Sequence, residues 1–466
     1  MKKLRLTATT VCLLLILTGC IGKVSASDRA NAITLNTPGS TQQAEPSNSI
    51  FHITSGGRYV LSGRHQGQII IEAERNDIVE LILDDVTLHN PNGPAIIAPR
   101  SQRVELILAD GTINTISDGT HPNDDNNAAI YIQHDLIISG NGTLNVNGNY
   151  RHGIRTQGFL TINEGVFYVT AAGDALRGRN GITIQNGTFT LDSGGDGMQS
   201  SRESDPQRGF VTINGGTFTI RAGDDGIQAE STITINGGNI TITAEDDAIT
   251  TKGSVLITGG YIQVTDSYEG IEALNVTITG GDINIVARDD GINAREHGAG
   301  AGSAVRGRTT TRAPLNNNIF VRITGGSITI RAINGDGIDS NGHIFLEGGT
   351  LNITGPFGRI GEDAIDLDGN FIVTGGQFIT AGNIRSISPQ STQPVILFRH
   401  NRQLPAGTLI EMRDTRGYTL LSYVAKGTFN VSGFTSPGFA IGLTYSLYIN
   451  REKVSDITLN NIFTRQ

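Results

Sequence analysis

The sequence predicts an all-β chain: a right-handed parallel β-helix of about twelve coils, closed by a C-terminal β cap or small β domain. Three observations carry that expectation. One phrase recurs ten times between residues 142 and 376: an apolar alternation, a Gly or Gly-Gly turn, a second alternation and a short acidic turn. Its clearest copies are INGGNITITAEDDAI at 235–249 and ITGGDINIVARDDGI at 278–292. The turn glycine, or its counterpart, falls at Gly142, Gly165, Gly187, Gly216, Gly238, Gly260, Gly281, Gly326, Gly349 and Gly376, mostly 21 to 23 residues apart. A period this short, in β-branched sequence punctuated by glycine, is the mark of a β-solenoid. Composition agrees, since Gly is 61 of 466 residues and Pro only 13, so glycine serves turns rather than disorder.

The elements follow in chain order. Lys2, Lys3 and Arg5 precede an apolar run from Val11 to Leu17 and the tetrapeptide LTGC ending at Cys20. Residues 1–20 therefore read as a lipoprotein signal peptide, with Cys20 carrying the lipid of the mature chain. Cys12 leaves with the signal, so no disulfide is expected. Residues 21–48 are polar and rich in Ser, Thr, Gln and Pro, the composition of a flexible tether. Residues 49–384 form the solenoid. Turns around Asp85 and Asp110 stand where Gly-Gly stands later, so two coils precede the regular ten, giving a rod roughly 55 Å long at the strand spacing. Alternation places Phe218, Ile220, Ile240 and Ile242 inside and Thr219 and Thr241 outside.

Two segments exceed the period, one with the polar sequence SSRESDPQR at 200–208 and one at 297–314 that carries Arg306, Arg308 and Arg312 among glycines. Insertions in repeats map to loops on one face, often the binding face. Beyond residue 385 the phrase stops. Strands are expected around 394–398, 408–412, 418–423 and 445–450, with turns at Arg416-Gly417 and Asn450-Arg451, so 385–466 is assigned as the cap that a solenoid end requires.

Net charge is −9, with a pI near 5.5, which argues against nucleic acid as a partner. The acidic position of the phrase is filled by Asp174, Asp196, Asp225, Asp247, Glu269, Asp290, Asp336 and Asp363. Stacked at about 4.8 Å, neighbouring charges repel by roughly 3 kcal/mol at an effective dielectric near 20. The column therefore needs a cation, hydrogen-bonded protection or protonated members. Double acids at Asp224-Asp225, Asp246-Asp247, Asp289-Asp290 and Glu362-Asp363, and acids three apart at Asp336/Asp339 and Asp363/Asp366, offer oxygen-only, irregular ligand sets of the kind calcium takes. With Glu269, these are the candidate metal ligands. Isolated Asx-turns are the competing account of single acids. The chain lacks the Cys and His clusters of a zinc site. Arg155 and Arg177 follow the column at one offset and are candidate ligand clamps.

The lipobox, GRYVLSG at 57–63, the DDGI coils, GDGIDSNG at 335–342 and GEDAIDLDGNFIVTGG at 361–376 together resemble the bacterial carbohydrate-binding β-helix family, typified by a clostridial surface protein that binds cellulose and acidic sugars. The resemblance spans roughly residues 50–450. It implies bound calcium and recognition of pectin-like polysaccharide. It is also similar to calcium-dependent pectate lyases of the β-helix type, whose D-D-G-x-D turn is matched by Glu362, Asp363 and Asp366, with Asp336 and Asp339 in the corresponding turn one coil earlier.

Three functions are compatible with these residues. The first is a lipid-anchored envelope protein, expected as a monomer, that binds uronate-rich polysaccharide and meets the membrane only through its anchor. The second is a polysaccharide lyase, which needs a base to remove the proton α to the uronate carboxylate. Lys252 is the one lysine on the solenoid and the weak catalytic candidate, with arginine as an alternative base. The third is a structural adhesin whose rod presents the cap.

Overall fold

The computed structural model describes residues 32–34, 49–119, 124–203, 205, 207–296 and 315–466. The signal peptide, Cys20 and the 297–314 insertion with its three arginines lie outside the described residues. Nearly all the described strands belong to one parallel system in which each strand pairs with its equivalent in the next coil. The connections are those of a right-handed parallel β-helix, the hand that parallel crossovers adopt.

Each regular coil contributes three strands. In one coil these are Phe210–Ile213, Thr217–Ala222 and Ile227–Ala229. They pair in register with Thr232–Ile235, Asn239–Ala244 and the start of Ile249–Ile257 in the next. The turn between first and second strands explains the glycine period. Gly238 has φ of +104°, and a Cβ there would stand 3.0 Å from the Gly216 carbonyl of the preceding coil. In the early coils Asp85 adopts that conformation itself, at φ +58°, and its carboxylate accepts the Ile113 N–H.

Strict alternation builds the interior. Thr217–Ala222 alternates exposed and buried positions, and Phe218 and Ile220 are each 1% exposed. Phe167, Phe189 and Phe218 occupy one interior column, their rings parallel at 4.8 and 4.6 Å, and Ile240 and Ile262 continue it. Burying each such side chain contributes about 1.5–3 kcal/mol. Because parallel strands repeat in register, every coil adds to one core rather than closing its own.

The ends are covered differently. Ala32–Thr34, expected within the tether, forms a strand paired with Val60–Ser62, which shields the first full coil from open-edge pairing. At the other end Phe378–Ala381 turns antiparallel and pairs with Ser432–Thr435, while Ile384 and Val431 join the solenoid core. A separate antiparallel sheet of Leu409–Arg413, Thr419–Val424, Thr444–Ile449 and Glu452–Thr458 packs its own core over this end. The four expected cap strands are present. Phe429–Thr435, Glu452–Thr458 and Phe463–Arg465 were not expected: the first contains Gly433, and the other two are polar or short. Asn450 and Arg451 form the expected turn, both with positive φ.

Candidate functional site

The third strand of a coil is three to five residues long except where it runs on into the next coil, as Ile249–Ile257 and Ile271–Ile278, and in the regular coils the acidic turn leads into it. Pairing between coils makes two adjacent columns on this face. One contains Asp174, Asp196, Asp225, Asp247, Glu269, Asp290, Asp336 and Asp363. The other, three residues further on, contains Tyr131, Arg155, Arg177, Gln199, Gln228, Thr250, Glu272, Asn293 and Asp339.

The first column is protected by a ladder of main-chain donors. One carboxylate oxygen of each Asp accepts the N–H of the equivalent residue in the next coil: Asp196 to Asp174 at 3.2 Å, Asp225 to Asp196 at 3.1 Å, Asp247 to Asp225 at 3.0 Å and Glu269 to Asp247 at 3.1 Å. His152 starts the ladder. Its Nδ1 accepts the Asp174 N–H at 3.0 Å, so the ring acts as a neutral acceptor with the proton on Nε2. Burial, reinforced by Arg177, Arg155 and Arg151, pushes its pKa down to about 2. The ladder resumes with Asp336 N–H donating to Asp290 and Asp363 N–H to Asp336. It is interrupted at Glu269, whose extra methylene carries its carboxylate past the next amide.

The second column decides what happens to the remaining oxygens. Arg177 donates to Asp174 at 2.8 Å, Gln228 donates to Asp225 at 2.9 Å, and Gln199 donates to Asp196. From Asp247 onward the pattern changes. Thr250 is too short to reach back, Glu272 and Asp339 are themselves acids, and Asn293 turns to Glu269 at 3.1 Å. Acids accumulate as donors run out. Asp247, Glu269 and Glu272 bring carboxylate oxygens within 4.8 Å of one another, all buried. Arg295 pairs with Glu272 at 2.7 Å and approaches Glu269 at 4.0 Å. The second oxygen of Glu269, in a residue only 3% exposed, has no hydrogen-bond partner.

Burial and neighbouring charge keep this column reluctant to ionise. Burial above all pushes Asp196 and Asp225 up to about 8, with adjacent column acids adding to it. Asp247 is pushed up to about 7 by burial, Glu272 and Asp246, and Glu269 is raised by burial, Asp247 and Glu272. Burial also lifts Asp336 to about 9, Asp290 to about 7 and Asp339 to about 7.

The expected metal ligands are therefore brought together selectively. Asp224 and Asp225 group with Asp196. Glu362 groups with Asp290 and Asp336, whereas Asp366 groups with Asp336 and Asp339. The Glu362–Asp363–Asp366 turn is thus shared between two groups, and Asp363 instead takes the Asn383 amide at 2.8 Å. Asp366 is held by Arg385 at 2.6 Å. Asp246 and Asp289 join none of these groups among the described residues. These acid clusters could hold a metal ion. At Asp247–Glu269–Glu272 the all-oxygen donor set and the orphaned buried oxygen fit a hard cation.

Arg155 and Arg177 are adjacent on the same face. Arg155 lies 5.6 Å over the Tyr131 ring and donates to Asn127. Lys252 is tied to Glu230 at 2.8 Å and Glu203 at 3.2 Å, and its pKa is raised by those hydrogen bonds, the wrong direction for a base. Glu272, Arg295 and the glutamine pair were not singled out from sequence. The three-residue offset that marks Arg177 would have found Gln199, Gln228 and Glu272.

The chain belongs to the family of carbohydrate-binding domain-containing proteins, whose match covers residues 47–311. A carbohydrate-binding domain-containing protein of Acetivibrio thermocellus is 36% identical over 126 residues, 26% of this chain and 44% of the relative, so the chain spans under half the length of that curated relative. A solved structure of the polysaccharide lyase-like protein from C. thermocellum, a gadolinium derivative, is 30% identical. That match covers 48% of this chain and 95% of the other, with a TM-score of 0.45.

Proposed function

We propose that this protein binds uronate-rich polysaccharide along the face formed by the third strands of its coils, with calcium at Asp247–Glu269–Glu272 bridging protein and polymer carboxylates. The observation that carries the reading is the change along the second column, from the donors Arg177, Gln199 and Gln228 to the acids Glu272 and Asp339, beside a Glu269 oxygen that has no hydrogen-bond partner. Calcium takes six to eight oxygens, so three carboxylates leave positions for ligand or water. Arg155 and Arg177, on the same face, supply positive charge for direct pairing with uronate. Secretion, with a lipid on Cys20 tethering the domain to the bacterial envelope, completes the proposal. Loss of membrane association in Cys20→Ala would be its signature.

The test is retention on immobilised polygalacturonate against a neutral glucan. Stronger retention on the acidic polymer, reduced by salt or chelator, supports the reading. Equal retention on both polymers, insensitive to either treatment, removes it.

A second reading is a calcium-dependent lyase on the same site. Arg295 stands at the acid cluster, where its pairing with Glu272 at 2.7 Å raises its pKa, so in this reading it clamps the uronate carboxylate rather than taking the proton. In that case incubation with polygalacturonate and calcium releases unsaturated, ultraviolet-absorbing product, and Arg295→Gln abolishes it. The adhesin reading requires binding to vanish when the cap is deleted.

A further inference from the structure

We propose that the groove bounded by Arg75, Arg100, Ser101, Gln102, Gln133 and His134 is a carboxylate subsite that grips an acidic sugar directly, without a cation. The inference rests on the acidic-polysaccharide reading and adds a second point of attachment at the other end of the face.

The groove, about 580 Å³, lies at the corner where the third strands of two early coils end. Its lining contains two arginines, a histidine, two glutamines and a serine, but no acid, in a chain whose net charge is −9. Arg100 is fixed by main chain alone: Nε donates to the Ala73 carbonyl at 3.0 Å and a terminal nitrogen to the Glu72 carbonyl at 3.1 Å. Neutral carbonyls orient the guanidinium while leaving its charge for a ligand, and one edge of the fork remains available for a carboxylate. Arg75 is exposed and pairs with no acid among the described residues. Ser101 is 1% exposed, and its hydroxyl has no hydrogen-bond partner. A buried hydroxyl left unpaired costs free energy that a ligand oxygen would recover.

The groove also connects to the face already described. Tyr131 donates to Gln133 at 2.8 Å, Gln157 donates to Tyr131 at 3.3 Å, and Arg155 lies over the same ring. In register, Ile97 of the groove's coil leads through Tyr131, Arg155, Arg177, Gln199, Gln228 and Thr250 to Glu272. Those seven steps span about 34 Å at the strand spacing. A polymer lying along the face would meet fixed positive charge at one end and acid clusters at the other. The first contact is independent of divalent ions.

The experiment uses the full chain and a defined galacturonate oligomer, titrated by calorimetry in excess chelator, with a neutral galactose oligomer as comparator. The expected result is binding of the acidic oligomer alone, about tenfold weaker in Arg75→Gln and weaker still in Arg75→Gln/Arg100→Gln. Arg100 anchors main chain, so the exposed Arg75 variant keeps the test meaningful if the double variant unfolds. The proposal is overturned if wild type does not bind the acidic oligomer in chelator, or if Arg75→Gln binds it as wild type does. Retention of wild type on polygalacturonate with calcium is measured in parallel. Its loss sinks the functional reading, whereas its persistence with an unaffected Arg75→Gln sinks only this subsite.

Discussion

Replacing Glu269 by glutamine probes the cation centre most sharply, because its effect depends on whether calcium is present. Charges no more than 4.8 Å apart repel by at least about 3.5 kcal/mol per pair at an effective dielectric near 20, so Asp247 and Glu272, when both are ionised, oppose ionisation of Glu269 by at least about 7 kcal/mol. Arg295, at 4.0 Å, offsets about 4 kcal/mol of that on the same scale. The balance favours a protonated Glu269 in the metal-free protein at neutral pH, in line with its raised pKa. Glutamine imitates that protonated acid. The Glu269→Gln variant should therefore melt close to wild type in chelator at pH 7. In calcium it lacks one of three charged ligands, and calorimetric affinity should fall at least about tenfold, or 1.4 kcal/mol. The calcium-induced rise in melting temperature should shrink in step, since stabilisation by a ligand follows its affinity. Equal calcium affinity and an equal calcium-induced shift in variant and wild type would refute the assignment. A large loss of stability in chelator would show instead that Glu269 acts as a structural acceptor.

Three further outcomes follow from the two columns and the core. In chelator, melting temperature should fall between pH 5 and pH 9: Asp196 and Asp225, raised from 3.8 to about 8, hold protons in the folded state that the unfolded chain releases. Stability present below pH 4 is thus lost as pH rises through 8; a pH-independent melt would contradict it. Gln228→Ala removes the donor to Asp225 and should cost about 1–3 kcal/mol, more at pH 9 than at pH 6, by equilibrium denaturation. Phe189→Ala, which breaks both ring stacks, should cost about 3–5 kcal/mol, and a loss below about 1 kcal/mol would mean that the coils relax around the cavity.

The solenoid was legible because its physics is local and repeated. Alternation fixed which side of Thr217–Ala222 faces inward, and the need for positive φ fixed glycine at Gly216, Gly238 and Gly260. The acid column was legible for the same reason, since one turn recurs with the coil. The cap was legible only where alternation was strong. Phe429–Thr435 pairs with strands distant in sequence, so neither its turn nor its neighbours announce it.

Repetition determined which residues stack, but not which stacked acids are satisfied. Asp225 and Asp247 share a motif and an address. One is capped by Gln228, whereas the other faces Thr250 and, one coil on, Glu269 and Glu272. The difference lies in side-chain reach across coils, which a one-dimensional pattern does not contain. Tertiary structure also moved Asp366 away from its own turn partners to Asp336 and Asp339, and locked Lys252 between Glu230 and Glu203. Sequence determined the rod and its charged face because both follow from local periodicity; only the folded coils decided where that charge stays uncompensated, because compensation is a matter of distances between coils.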